Sequence, residues 1–90
     1  IGGQVAHTVG DLMRRLGQDR QVLAITHLPQ VAATAHQHYK VRKQMQDGQT
    51  LSRIEPLNDR QRLEEIARML GGSSSSDSVM AHAREILGRS

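Results

Sequence analysis

Between the polar turn Gly17-Gln18-Asp19-Arg20 and the segment Thr26-His27-Leu28-Pro29 lies Gln21-Val22-Leu23-Ala24-Ile25, a short and nearly continuous apolar run. Such a run reads as a strand buried on both faces, and strands of that kind belong to parallel sheets flanked by helices. The 90 residues contain no second run like it. The chain therefore cannot complete the sheet that its own most apolar segment calls for. Either sequence outside it or a second copy has to supply the neighbouring strands.

The rest of the core is thin. Hydrophobic residues make up 37% of the chain, with no Phe, no Trp and a single Tyr39, so Val, Leu, Ile, Met and Ala must fill the interior. A chain of this length forms at most one small domain and buries a modest fraction of its unfolded surface. The absence of cysteine excludes disulfide staples and thiolate metal sites, which fits a reducing, cytoplasmic setting. No stretch approaches the ~18 consecutive apolar residues of a membrane span, and no charged-then-apolar stretch resembles a secretion signal, so no membrane association is expected. Starting at Ile1 rather than Met, the chain reads as a piece of a longer protein.

Periodicity places the remaining elements. Val5, Val9, Leu12, Met13 and Leu16 form the apolar stripe of a helix over 4–16 that stops at Gly17, with Arg14 and Arg15 complementing the negative end of its dipole. Pro29 suits the first position of a short helix over 29–35. Alternation over 38–45 and 49–54 around Asp47-Gly48 predicts a β-hairpin with one partly apolar face. Asn58 and Gln61 make a capping-box pattern ahead of Leu63, Ile66, Ala67 and Leu70. Gly71-Gly72 ends that helix and Ser73–Ser76 is a connector whose last serine is placed to cap a final helix over 77–87, with Val79, Met80, Ala83, Ile86 and Leu87 on its buried side.

His27 is the candidate for chemistry. It stands at the carboxyl end of the predicted strand, where α/β sheets open their ligand crevice, and its ring can donate to a phosphate oxygen or engage an attacking water near neutral pH. A histidine there can also do no more than close a loop. Thr26 is placed either to orient the ring or to cap the following helix, the commoner role. The other histidines, His7, His36, His38 and His82, do not make a metal site: no carboxylate accompanies the pair His36 and His38. Glu64 and Glu65 diverge on a helix, and no serine sits in a nucleophile elbow. The four methionines, Met13, Met45, Met69 and Met80, read as core filler. No G-x-x-x-x-G-K-[ST] loop is present, and Gly2-Gly3 is too short to cradle a phosphate.

Several passages in order, Gln21-Val22-Leu23-Ala24-Ile25-Thr26-His27-Leu28-Pro29-Gln30-Val31-Ala32, His36-Gln37-His38-Tyr39, Leu63-Glu64-Glu65-Ile66-Ala67-Arg68-Met69-Leu70-Gly71-Gly72 and Ala81-His82-Ala83-Arg84-Glu85-Ile86-Leu87, resemble the C-terminal end of the RecN family. These are bacterial DNA repair proteins related to the structural maintenance of chromosomes proteins, with an ABC-type ATPase head. The resemblance covers the chain nearly end to end; Ser73–Ser76 is plainer than the usual connector.

It implies an α/β fold, the C-terminal lobe of a P-loop ATPase head over residues 1–90: helix, parallel core strand, short helix, β-hairpin and two closing helices. It implies further that Ile1-Gly2-Gly3 is the tail of a D-loop facing the opposing head. His27, with Thr26 beside it, would be the switch histidine at the γ-phosphate of ATP. The grip on ATP and Mg2+ would lie in the N-terminal half of the same head, outside the chain. The implied partners are that half, a second RecN head joined through ATP, and DNA through the full-length protein. The implied place is the bacterial cytoplasm at the nucleoid, and the implied work is recombinational repair of double-strand breaks. The piece alone is expected to be inactive.

A different class of reading is a small basic nucleic-acid-binding module using Lys40, Arg42, Lys43 and Arg53 on the hairpin, or a bare dimerisation element. Lys and Arg total 12 against 9 Asp and Glu, a net charge of +3 spread along the chain, which permits contact with nucleic acid without concentrating it.

Overall fold

The computed structural model describes residues 2–71 and 76–89; Ile1, Gly72 and Ser73 to Ser75, on which parts of the D-loop and connector expectations fall, lie outside the described residues. The elements run α1 (Gly3–Leu16), α2 (Pro29–Ala32), β1 (Tyr39–Gln46), β2 (Gln49–Pro56), α3 (Asp59–Met69) and α4 (Asp77–Gly88). The fold mixes helices with one two-stranded antiparallel sheet.

The centre of packing is the angle between α3 and α4, closed on one side by the end of α2. Ile66 and Ala67 from α3, Ala83 and Ile86 from α4, and Ala32 and Ala33 form the buried cluster, with Leu63, Leu70, Val79, Met80 and Leu87 packed around it. The α3 and α4 members are the positions that the helical spacing singled out; Ala32 and Ala33 are not. Asn58 caps α3 as a full capping box: its side chain accepts from the Gln61 N–H at 2.8 Å, and the Gln61 carboxamide oxygen accepts from the Asn58 N–H at 3.0 Å. Gly71 ends the helix with φ of +85°, a conformation an L side chain resists. Ser76 does stand at the N-cap of α4, but its side chain makes no capping bond.

The hairpin turns where Asp47-Gly48 predicted. Both turn residues have positive φ, 52° and 75°, as a two-residue turn matched to strand twist requires. Pairing runs from Tyr39 opposite Pro56 to Gln46 opposite Gln49. Tyr39, Val41 and Met45 share a face with Ile54, and all four are exposed.

Two expectations are corrected. The run 21–25 is not a strand and takes part in no parallel sheet: it is irregular chain without ladder partners, with Leu23 at 83% and Ile25 at 101% of full exposure. A parallel strand exists only with a neighbour to bond, and this chain provides none. In α1, the stripe of large residues is also largely uncovered, with Val5, Leu12 and Leu16 about half exposed. The face that packs is instead the small one, Ala6 and Gly10, which lies against α2. A Cβ at Gly10 would come within 2.7 Å of Thr34 Cγ2 and 3.0 Å of the Gln30 carbonyl oxygen, so the approach of the two helices depends on that glycine.

Candidate functional site

The segment from Thr26 to Gln30 is built as a bend that feeds α2. Thr26 does not cap the helix: Leu28 holds the N-cap position, two residues further on. The Thr26 hydroxyl instead accepts a hydrogen bond from the Leu28 N–H at 3.0 Å, a local turn of the kind short hydroxyl side chains form. With one lone pair so used, its O–H remains free to donate. Pro29 occupies the first helical position, where its missing N–H costs nothing.

His27, in the middle of this bend, is exposed, and no described residue hydrogen-bonds its ring. Both ring nitrogens are therefore available to a ligand or a water. The histidine stands two residues after the unpaired run 21–25, and the strand and sheet expected to frame it are absent from the described residues.

What fixes the bend is the anchoring of α2 behind it. The carbonyls of Pro29, Val31 and Ala32 accept from the N–H groups of Ala33, Thr34 and Ala35, and the carbonyls of the turn that follows are bonded by two guanidinium groups. Arg14 of α1 donates to the Thr34 carbonyl at 2.7 Å, and Arg62 of α3 donates through Nη2 to the carbonyls of Ala33 at 3.0 Å and Ala35 at 2.6 Å. Burial lowers the Arg62 pKa, the nearby Arg14 charge lowers it further, and Asp59 acts in the opposite sense. Thr34, itself buried, donates to the Val31 carbonyl at 2.7 Å. Neither arginine was singled out for this role by the sequence: side chains that reach across 20 to 30 residues leave no local pattern.

Of the residues expected to form a D-loop tail, Gly3 lies near the side chain of Gln30. Gly2 is the N-cap of α1, and a Cβ at Gly3 would lie 3.4 Å from Nε2 of Gln30, three residues after His27. The structure thus brings Gly3 beside the histidine's own segment. Ile1 lies outside the described residues.

As to metal and nucleotide, no group of three His, Cys, Asp or Glu among the described residues could hold a metal ion. The fit to ATP and Mg2+ is therefore partial. An accessible imidazole and a neighbouring hydroxyl suit contact with phosphate oxygens, whereas metal ligands have no counterpart among these residues.

The basic hairpin does not make a concentrated surface. Lys40 binds Glu65 at 3.0 Å and Arg42 binds Glu55 at 3.0 Å. Arg53 sits opposite Arg42 and Lys43 opposite Ser52, which puts Lys43 and Arg53 on opposite faces. No described helix is long and apolar enough to cross a membrane.

Comparison with known proteins agrees with the motif resemblance. No protein-family model matches the chain. Proteins named DNA repair protein RecN do: that of Deinococcus radiodurans is 53% identical over 87 residues, covering 97% of this chain and 15% of its own length. The RecN of Vibrio cholerae is 46% identical over the same share of this chain and 16% of its own, and that of Bacillus subtilis 39% identical, with 97% and 15% covered. The chain thus spans about a sixth of the length of these relatives, 15–16%. Identity of 39–53% sustained over 97% of its residues makes this chain, as a segment, a member of the RecN family.

Proposed function

We propose that the chain is the C-terminal lobe of the ATP-binding head of a RecN protein, and that through this head it serves ATP-dependent recombinational repair of DNA double-strand breaks. The observation that carries the reading is the pairing of an uncovered apolar run, 21–25, with an accessible histidine at its end. Monomeric proteins rarely leave contiguous apolar surface of this kind, and such a patch marks a surface that something else covers. The N-terminal half of the head is that cover. Its strands would pair the open backbone of 21–25 and set His27 at the rim of a parallel sheet, where nucleotides bind. The Val5, Leu12 and Leu16 stripe of α1 supplies a second uncovered apolar face for the same half.

Within that head His27 is the switch histidine. Its free ring donates to a γ-phosphate oxygen or fixes the attacking water, with the Thr26 hydroxyl as a further donor. Phosphoryl transfer is catalysed mainly by positioning and charge stabilisation, so a histidine contributes there without acting as the base. ATP and Mg2+ supply the phosphoryl group and neutralise its charge; the residues that grip them belong to the other half. Gly3, at the start of α1 near Gln30, is the residue that would face a second RecN head, and DNA contact falls to the full-length protein. The setting is the cytoplasm, at the nucleoid. The dispersed basic residues of the hairpin do not favour the nucleic-acid-binding alternative.

The test is ATP turnover of the full-length protein. His27→Ala is expected to lower kcat by about a hundredfold, the scale of losing one positioned donor at a transition state, while nucleotide binding persists. Turnover unchanged by that substitution sinks the assignment. So does turnover by residues 1–90 alone above that of their own His27→Ala variant.

A further inference from the structure

Arg62 belongs to α3, yet what it bonds is the end of α2. Its Nη2 lies 3.4, 3.0 and 2.6 Å from the carbonyl oxygens of Ala32, Ala33 and Ala35, and Arg14 Nη1 takes the carbonyl between them, Thr34, at 2.7 Å. Four consecutive carbonyls, 32–35, are thus held by side chains from two other helices.

The remaining arginines use their charge differently. Arg42, Arg60, Arg68 and Arg89 each meet a carboxylate, whereas Arg62 and Arg14 are in no ion pair among the described residues. Asp59, one turn back on α3, takes no bond from Arg62. Half-buried and close to the like charge of Arg14, the Arg62 guanidinium loses hydration and gains repulsion. What offsets that cost is a set of directional bonds to backbone.

Direction is what the packing of α2 otherwise lacks. Ala32 and Ala33 join Ile66 and its neighbours in the core, and apolar contact of this kind sets how near the short helix lies to α3 without setting its rotation. Hydrogen bonds weaken steeply as their angle is lost, so the grip of Arg62 sets the rotation. That rotation reaches the bend through one turn of backbone. The Leu28 carbonyl, next to His27, accepts from the N–H groups of Val31 at 3.1 Å and Ala32 at 3.0 Å, and Ala32 is the first residue in the grip of Arg62.

We propose that Arg62 is a positioning residue for His27: through the carbonyls at the end of α2 it fixes the rotation of that helix, and with it the direction in which the imidazole leaves the bend. The proposal rests on the reading of His27 as the switch histidine and names the side chain that aims it.

ATP turnover of the full-length protein tests it in a cycle of four: the parent, Arg62→Met, His27→Ala and the double variant. Arg62→Met keeps the length of the side chain and removes its donors. It should lower kcat about tenfold, the scale of a misplaced group, and leave the KM for ATP within about twofold. In the His27→Ala background it should cost nothing further, because a residue that acts by aiming another has nothing to aim once that one is gone. Arg62→Lys, which keeps the charge without the planar fork, should fall between, and it carries the same cycle if Arg62→Met does not fold. Arg60→Met, on the solvated side of α3, should leave turnover unchanged. Hydrogen exchange supplies a readout apart from activity: in Arg62→Met the amides of Val31 to Ala35 should lose protection. Protection unaltered there overturns the proposal, as does a loss that falls on KM. If His27→Ala slows turnover and Arg62→Met slows it by the same factor in both backgrounds, the role of Arg62 falls and that of His27 stands. If His27→Ala leaves turnover unchanged, the reading of His27 falls and takes the proposal with it.

Discussion

The two ends of the chain treat their apolar residues in opposite ways. Around α3 and α4, Ile66 and Ala83 reach complete burial, and the partly buried Leu63, Met80 and Leu87 close around them. Around α1 and the run after it, Leu23 and Ile25 stand almost fully exposed although they belong to the most hydrophobic stretch of the sequence. Helices can bury a stripe against each other with only short-range partners, whereas a strand needs a neighbour to bond. The C-terminal end therefore carries its own packing partners, and the N-terminal end leaves its largest apolar residues uncovered.

The largest effect should separate these ends outright. In the chain of 90 residues, Ile66→Ala is expected to cost about 2–5 kcal/mol, because a fully buried side chain is removed from a small core. Ile25→Ala should change stability by no more than about 0.5 kcal/mol, since the side chain already lies in water. Urea unfolding of both variants reads the contrast. If Ile25→Ala costs as much as Ile66→Ala, then 21–25 packs on its own chain and the division is broken. Hydrogen exchange extends the same test: amides 22–25 should exchange freely in the chain alone and be protected in the full-length protein.

Charge sharpens the comparison. Glu65 is the buried carboxylate of the C-terminal end, bound by Lys40 at 3.0 Å and by Arg68 Nε at 2.9 Å, and so ties β1 to α3. Burial raises its pKa, but the hydrogen bonds and charges of Arg68 and Lys40 outweigh it and hold the carboxyl below the ordinary range. A carboxyl whose folded pKa is depressed contributes stability that is fully present above its unfolded value, about 4.3, and is lost as pH falls through the folded one. Glu65→Gln should therefore cost about 1–3 kcal/mol at pH 7, less than a fully buried pair because both partners are partly solvated. It should also flatten the fall in stability below about pH 4. In α1, Asp11 meets His7 at 3.4 Å in the open, and Asp11→Asn should stay within about 0.5 kcal/mol at pH 7. Equal losses from the two substitutions would erase the distinction.

How much of this was legible follows the same division. The helices α3 and α4, the capping box at Asn58 and the turn at Asp47-Gly48 were readable because spacing and turn chemistry are local. The state of the run 21–25 was not, because a strand's existence depends on partners that a single segment does not encode. Arg14 and Arg62, which hold α2 and so the bend carrying His27, were missed for a related reason: their targets are carbonyls, which every residue possesses. The burial of Glu65 beside the solvated Glu64 was equally silent, since adjacent helical positions differ only in the face they present.

Gly10 was not singled out either, although this nonlocal contact leaves a local sign. A glycine inside a helical pattern is unfavourable by about 1 kcal/mol relative to alanine, so its presence asks for a reason. The reason is the close crossing of α1 and α2 at Thr34 and Gln30. Gly10→Ala gains helix propensity but places a methyl group 2.7 Å from Thr34 Cγ2 and 3.0 Å from a backbone oxygen that cannot rotate away. Overpacking of this kind costs about 1–3 kcal/mol, which leaves a net loss of about 1 kcal/mol. Because α2 follows directly on the bend, the same substitution should displace the backbone resonances of Thr26 to Gln30 in an NMR spectrum, and leave those of α4 in place. A gain in stability, with those resonances unmoved, would mean that α1 and α2 are not held together at Gly10, and that the N-terminal end is looser still than the contrast with α3 and α4 implies.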